Sequence, residues 1–204
     1  FGPPVIAADA LRRKVLEELG FTVNVGISSN KLLAKMAGDF EKPNKIHTLF
    51  PEEVPAKMWP LPVRELFLVG GATERKLRLL GIYTIGDLAK ADPALLRRKL
   101  GKHGETIWHY ANGRNAELVT PEPAEAKGFG NSVTTAKDVT STEEAHQVLL
   151  SLMETAAMRM RREGKYGSCV TVHLRTNEFR HFSHQSKLGC ATNITRELYR
   201  QAAQ

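Results

Sequence analysis

The segment GISSNKLLAKMAGDFEKPN, Gly26 to Asn44, can fold in few ways. Just before it, Phe21, Val23 and Val25 alternate with polar residues, the period of a half-buried strand. Inside it, Leu33, Met36, Ala37 and Phe40 form one apolar helical stripe, with Ser28 or Ser29 placed to cap the first turn. Lys31 and Lys35 fall four apart on the other face, Pro43 stops the helix, and KIHTLF reads as another strand. Upstream, Ala8, Leu11, Val15 and Leu19 give residues 5–19 the pattern of an amphipathic helix that Gly20 ends. Helix, strand, helix and strand in that order make a layered α/β or α+β unit.

From Pro51 onward the chain turns to short helices punctuated by glycine. Two stretches, LVGGATERKL (Leu68–Leu77) and LGKHGETIW (Leu100–Trp108), each pair a helix, a glycine turn and a second helix. Amide groups at such a turn can hold a phosphate, because glycine permits close approach and a helix N-terminus is electropositive. This makes Gly70, Gly71 and Lys76 at the first turn, and Gly101, Lys102 and Gly104 at the second, candidate phosphate contacts. The same glycines serve equally as plain helix caps. Thr84 starts another helix, and Asp92-Pro93 supplies a cap and a first-turn proline for the next.

Residues 114–127 carry two prolines and no apolar period, and read as a linker. Beyond it FGNSVTT reads as a strand, and Ser141 with Glu144 caps a helix whose Ala145, Val148, Leu149, Leu152, Ala156 and Met160 face a core up to Gly164. Val170, Val172 and Leu174 alternate with Thr171, His173 and Arg175. Thr176–Glu178 turn, Phe179–Lys187 return, and a helix begins at Thr192. The order β-α-β-β-α lacks one strand of a split βαβ sheet. Arg175, Arg180, Ser183 and Gln185 are expected to give that sheet a polar, basic outer face, one that suits a polyanion or is ordinary solvated surface.

The net charge of +7 favours a polyanionic partner, nucleic acid first. Cys169 and Cys190 lack metal-site spacing, which fits a reducing compartment and leaves one bridge between them open. No apolar run approaches bilayer length, so a cytoplasmic protein without a membrane partner is expected. The opening FGPP and closing QAAQ read as cuts. The adjacent carboxylates Glu17-Glu18, Glu52-Glu53 and Glu143-Glu144 fall on a solvated face or in first helical turns, and read as structural. His181 and His184 flank Ser183 on one strand, a spacing that does not aim them at one site.

Taken together, GISSNKLLAKMAGDFEKPN, LVGGATERKLRLLGIYTIGDLA and KGFGNSVTT resemble the bacterial Y-family DNA polymerases, of the DNA polymerase IV and ImpB/MucB/SamB UV-repair type, over nearly the whole chain. The resemblance implies an α+β fragment: the late part of an α/β palm (1–50), an all-helical thumb with helix-hairpin-helix turns (51–113), the linker (114–127) and a split βαβ little finger lacking its last strand (128–204). It implies translesion nucleotidyl transfer, with primer-template DNA and a deoxynucleoside triphosphate as partners, and a sliding clamp through regions outside this sequence. Lys42, in the Lys-Pro step, is then the contact to the triphosphate, while Lys31 and Lys35 support local structure or solvation. The family's Mg²⁺ ions are held by carboxylates upstream of a segment like FGPPVIAADALRRKVLEELG, so no catalytic or metal ligand is expected in this chain, which alone should not extend a primer. A non-catalytic DNA-binding homologue is the alternative. Leu68 stands where such a hairpin usually has glycine, Gly38 replaces a usual serine, and Lys45 replaces a glycine after Lys-Pro-Asn.

Overall fold

Proline at the first helical position suits a helix start, because its missing N–H would have no partner there. In the computed structural model, which describes residues 2–121 and 125–204, helix α1 accordingly spans Pro4–Leu19 and ends at Gly20. Strand β1 (Val25–Ile27) pairs in parallel with β2 (Ile46–Thr48), joined through helix α2 (Lys31–Gly38). This two-stranded sheet is too narrow to cover the 16 residues of α1. Of the expected stripe only Ala8 is buried, while Leu11 and Leu19 are exposed. Phe21 and Val23 likewise precede the ladder, because β2 offers partners for residues 25–27 only.

The cap of α2 is neither Ser28 nor Ser29. Asn30 Oδ1 accepts from the Leu33 amide at 2.9 Å, and Asn30 Nδ2 donates to the Gly113 carbonyl at 3.0 Å. One residue therefore closes the helix N-terminus and ties it to a point 83 residues away. Asn30→Asp keeps the cap and loses the tie, whereas Asn30→Ala loses both. The expected destabilisations are about 1 and about 2 kcal/mol, readable from urea midpoints.

After three short irregular helical turns at Pro51–Glu53, Val54–Met58 and Val63–Glu65 come α3 (Gly71–Arg78), α4 (Ile85–Lys90), α5 (Pro93–Leu100) and α6 (Lys102–Ala111). Thr84 and Asp87 form the capping box of α4, and Asp92 caps α5 ahead of Pro93. The chain divides into two compact units, residues 1–121 and 122–204. In the first, Leu32, Leu33, Met36 and Leu49 bury against Val54, Met58, Ile85, Leu96 and Ile107, so the boundary expected at residue 50 runs through one continuous core. The division falls inside the expected linker, of which residues 122–124 lie outside the described residues.

The second unit contains α7 (Thr142–Arg162), the antiparallel strands β3 (Gly167–Arg175) and β4 (His181–Thr192), and α8 (Thr195–Ala202). Its core is small: Ala157, Met160, Val170 and Leu198, with Phe129, Met153, Val172 and Leu188 around them. The sheet covers only the C-terminal part of α7, so Ala145, Val148, Leu149 and Leu152 are not fully buried as the stripe predicts. The strand expected over FGNSVTT does not form among the described residues. That segment meets β3 through the Thr134 side chain and Arg175, the residues after it meet the turn through Asp138 and Asn177, and among the described residues no ladder hydrogen bond is made. The split βαβ sheet is therefore present only as its central hairpin. β4 extends past Lys187 to a buried Thr192, which accepts from the Ile194 amide, so α8 begins at Thr195. Both cysteines are free and exposed.

Candidate nucleic-acid interface

Lys42 lies in the turn between α2 and β2, and Asn24 fixes that turn. Asn24 Nδ2 donates to the carbonyls of Gly38 (3.2 Å) and Glu41 (2.9 Å), and its Oδ1 accepts from the Lys45 amide at 3.1 Å. The Lys42-Pro43 peptide is cis, and Asn44 takes a φ of 60°, which asparagine tolerates. Lys42 Nζ sits 2.8 Å from Asp39 Oδ1, and the ammonium of Lys35 holds Asp39 Oδ2. Lys35 is thus part of the same cluster as Lys42, whereas Lys31 reaches Glu117 at 4.0 Å. Thr22, Asn24, Gly26 and Ala34 complete a shallow depression of about 430 Å³ around them. Two ammonium groups on one carboxylate leave a net positive charge, which suits an anion in that depression.

Hydrogen bonding from Lys35 first, and from Lys42 second, holds the Asp39 carboxyl below the ordinary aspartate range. Because the folded value is the lower one, the pairing stabilises the fold above the unfolded pKa and is lost as pH falls through the folded value. Urea midpoints of the parent and Asp39→Asn are therefore expected to differ near neutral pH and to converge as pH falls through the lowered Asp39 value.

At the first hairpin α3 begins at Gly71 with Gly70 in the cap position, and no side chain caps it. Its first amides keep no intrahelical partner. Arg64 Nη1 and Arg75 Nη1 stand 3.3 and 3.7 Å from where a Cβ on Gly71 would lie, so two guanidinium groups flank this N-terminus. The left-handed residue of the turn is Leu68, with φ 72°. That conformation costs a residue bearing a Cβ about 1–2 kcal/mol. Lys76 makes no ion pair among the described residues, while Arg64 and Arg78 both hold Glu74.

At the second hairpin Gly101 takes φ 66° and ψ −152°, a region open essentially to glycine, and it too leaves α6 without a side-chain cap. Gly104 plays another part. It is buried, its amide donates to the Gly101 carbonyl at 3.0 Å, and a Cβ there would stand 2.4 Å from the Leu96 carbonyl oxygen. The glycine lets α5 and α6 touch, and its amide is already taken. Thr73 Oγ1 lies 3.5 Å from His103 Nε2, which brings the starts of α3 and α6 together.

In the second unit the register decides the faces. Val170 and Val172 pair with Ser186 and His184 on the core side, so Thr171, His173 and Arg175 share the outer face with Gln185, Ser183 and Lys187. Neither strand contains Asp or Glu. Arg175, Ser183 and Gln185 are therefore where alternation puts them. Arg180 is not: it precedes β4 and pairs with Glu178 at 3.1 Å in the turn. Phe179 takes the positive φ there and packs under the Arg175 guanidinium, 5.4 Å from ring centre to charge.

Sequence reasoning did not reach Asp39, Asn24, Arg64, Arg75 or His103. Arg75 was within reach, being four residues beyond Gly71 on the same helix. Asn24 and His103 act across the fold. Among the described residues no three His, Cys, Asp or Glu side chains converge on a metal position. The adjacent glutamates serve local structure: Glu53 accepts from the Phe50 amide at 2.7 Å, and Glu144 from Thr140 at 3.1 Å. No helix among the described residues is long and apolar enough to cross a membrane.

Residues 1–39 match the impB/mucB/samB family, residues 51–82 the IMS family HHH motif, and residues 126–204 the impB/mucB/samB family C-terminal domain. DNA polymerase IV of Clostridium acetobutylicum is 46% identical over 94% of this chain and 48% of its own length. That of Acetivibrio thermocellus is 35% identical over 99% of this chain and 51% of its length. The chain thus spans about half the length of the curated relatives it matches. A solved Y-family DNA polymerase chimera shares the fold, with a TM-score of 0.76 and 23% identity over 98% of this chain and 56% of its own.

Proposed function

The chain belongs to the impB/mucB/samB family of Y-family DNA polymerases, and on that premise we propose that it serves translesion synthesis by gripping primer-template DNA and a nucleotide through their phosphates. In this reading residues 1–50 are the late palm, 51–113 the thumb and 128–204 the little finger. The observation that carries it is the meeting of α3 and α6 at Thr73 and His103, two helix starts without side-chain caps. Arg64, Arg75, Lys76 and Lys102 supply charge around them. Contacts of that kind fix the position of a duplex and read no bases. The acid-free face of β3 and β4 extends the same chemistry in the second unit. Lys42, released from Asp39, meets the triphosphate, with Lys35 beside it.

The family's chemistry is metal-assisted phosphoryl transfer, in which Mg²⁺ would activate the primer 3′-hydroxyl. The work proposed for the residues named above is binding and orientation of the DNA and the nucleotide. In the full-length enzyme Lys42→Ala is expected to weaken nucleotide binding by about 1.5–3 kcal/mol, read from the nucleotide KM.

Fluorescence anisotropy with labelled primer-template tests the grip. Affinity should be indifferent to sequence and fall steeply with salt, since each neutralised phosphate releases about 0.9 of a counterion. Replacing Lys76 and Lys102 together by Ala, or Arg175 and Lys187 together, should flatten the slope of log K against log salt by about 1–2 units. Arg180→Ala should change it less, its charge being balanced by Glu178. Unchanged slopes in variants whose circular dichroism matches the parent would overturn the proposal.

A further inference from the structure

The turn ahead of α3 holds Leu68 in a left-handed conformation that glycine takes freely and leucine resists. The neighbours of Leu68 are all engaged. Leu66 and Val69 are buried in the core, Phe67 stacks on Tyr110 with ring centres 6.4 Å apart, and the Phe67 amide donates to Met36 Sδ at 3.4 Å. Leu68 is 47% exposed and stands outside that core. The turn is pinned on both sides and leaves two apolar side chains partly outward, Phe67 (42% exposed) in its stack on Tyr110 and Leu68 outside the core. Leu68 lies two residues before the cap of α3, whose first residue, Gly71, is flanked by the guanidinium groups of Arg64 and Arg75. Strained residues persist where the surrounding structure over-determines them, and they concentrate at ligand clamps.

We infer that Leu68 is a positioning residue for the duplex: its isobutyl group packs on the deoxyribose next to the phosphate held at the start of α3. The inference rests on the hairpin reading above. Along a nucleic-acid strand, phosphates alternate with sugars, and the apolar surface adjoining a phosphate is the C4′ and C5′ edge of the sugar. A leucine beside a phosphate-binding helix start meets that edge before it meets any base. Such a contact removes apolar surface from water and releases no counterion. It therefore adds affinity without adding salt dependence, the reverse of what Lys76 and Lys102 do.

The test compares Leu68→Gly, Leu68→Met and the Lys76→Ala/Lys102→Ala double variant in the full chain, by anisotropy against salt and by thermal melting. Leu68→Gly should melt no lower than the parent, since relief of the strained φ offsets the greater freedom of the unfolded chain. It should bind primer-template about three- to tenfold more weakly at every salt concentration, with an unchanged slope. Leu68→Met, which keeps apolar reach, should bind within about twofold of the parent. Parental affinity in Leu68→Gly overturns the inference. Should Leu68→Gly melt lower, Leu68→Asn takes its place, as asparagine accepts the left-handed backbone without the apolar group, and parental affinity there overturns the inference equally. A flattened slope in the double lysine variant with parental affinity in Leu68→Gly removes Leu68 alone, whereas an unflattened slope removes the hairpin reading beneath it.

Discussion

Gly26→Ala should cost the first unit about 4 kcal/mol or more, among the largest effects of any single methyl group in the chain. A Cβ at Gly26 would lie 1.9 Å from the Ala34 carbonyl oxygen and 2.5 Å from the Gly38 amide nitrogen. Both obstacles are helix backbone, so no rotamer change relieves the contact. β1 would have to part from α2, and with it would go the depression that holds Lys35, Asp39 and Lys42. The control is Gly38→Ala across the same contact, where the nearest atom stands at 3.5 Å, an ordinary separation. It should stay within about 1 kcal/mol of the parent, as helix propensity favours alanine. Both tryptophans, Trp59 and Trp108, belong to the first unit, so their fluorescence in urea reports its unfolding selectively. A Gly26→Ala midpoint close to that of Gly38→Ala would refute the close approach of β1 and α2.

Gly104→Ala should act at the second hairpin in a similar way, with a functional consequence as well. Its Cβ would stand 2.4 Å from the Leu96 carbonyl oxygen, 2.8 Å from the Leu96 carbonyl carbon and 2.9 Å from Leu100 Cβ. The pair α5 and α6 must spread, at a cost of about 3 kcal/mol. Spreading moves His103 away from Thr73 and separates the two helix starts. Duplex affinity should therefore fall by more than the roughly tenfold expected from losing one charge-assisted phosphate contact, even at temperatures where tryptophan fluorescence shows the unit folded. Parental affinity in a folded Gly104→Ala chain would mean that the two hairpins do not act together.

Much of this was legible wherever one local rule decided the matter. Thr84 with Asp87, Asp92 before Pro93, and Ser141 before Glu144 are caps because the side chain and the amide it serves lie within three residues. The outer face of β3 and β4 was legible because a strand has a period of two and the register kept it. The cap of α2 was not, since Ser28, Ser29 and Asn30 are equally good cap residues, and the Gly113 carbonyl that selects Asn30 is remote in sequence. The strand expected over FGNSVTT failed for a related reason: β propensity states that a segment can pair and says nothing of whether an edge is offered to it. At the site, Lys42 was read from its motif, but its pairing with Asp39 and the role of Lys35 depend on how Asn24 folds the turn. Gly104 was taken for a phosphate contact because a glycine beside a lysine after a helix carries the same signature whether a ligand or another helix approaches it.

The continuous core that runs from Leu32 to Ala111 has a mechanical meaning. Leu33 and Met36 on α2 share it with Ile107 and Ala111 on α6, and the Asn30 to Gly113 hydrogen bond rivets the two ends. Packed interiors are stiff and transmit strain. The turn bearing Lys42 and the hairpins bearing Gly71 and Lys102 thus form the jaws of a caliper without a hinge, whose gauge is set by side-chain volume in the core rather than by loop length. Shaving a methylene from Ile107 or Leu33 would alter that gauge while leaving every charged group in place.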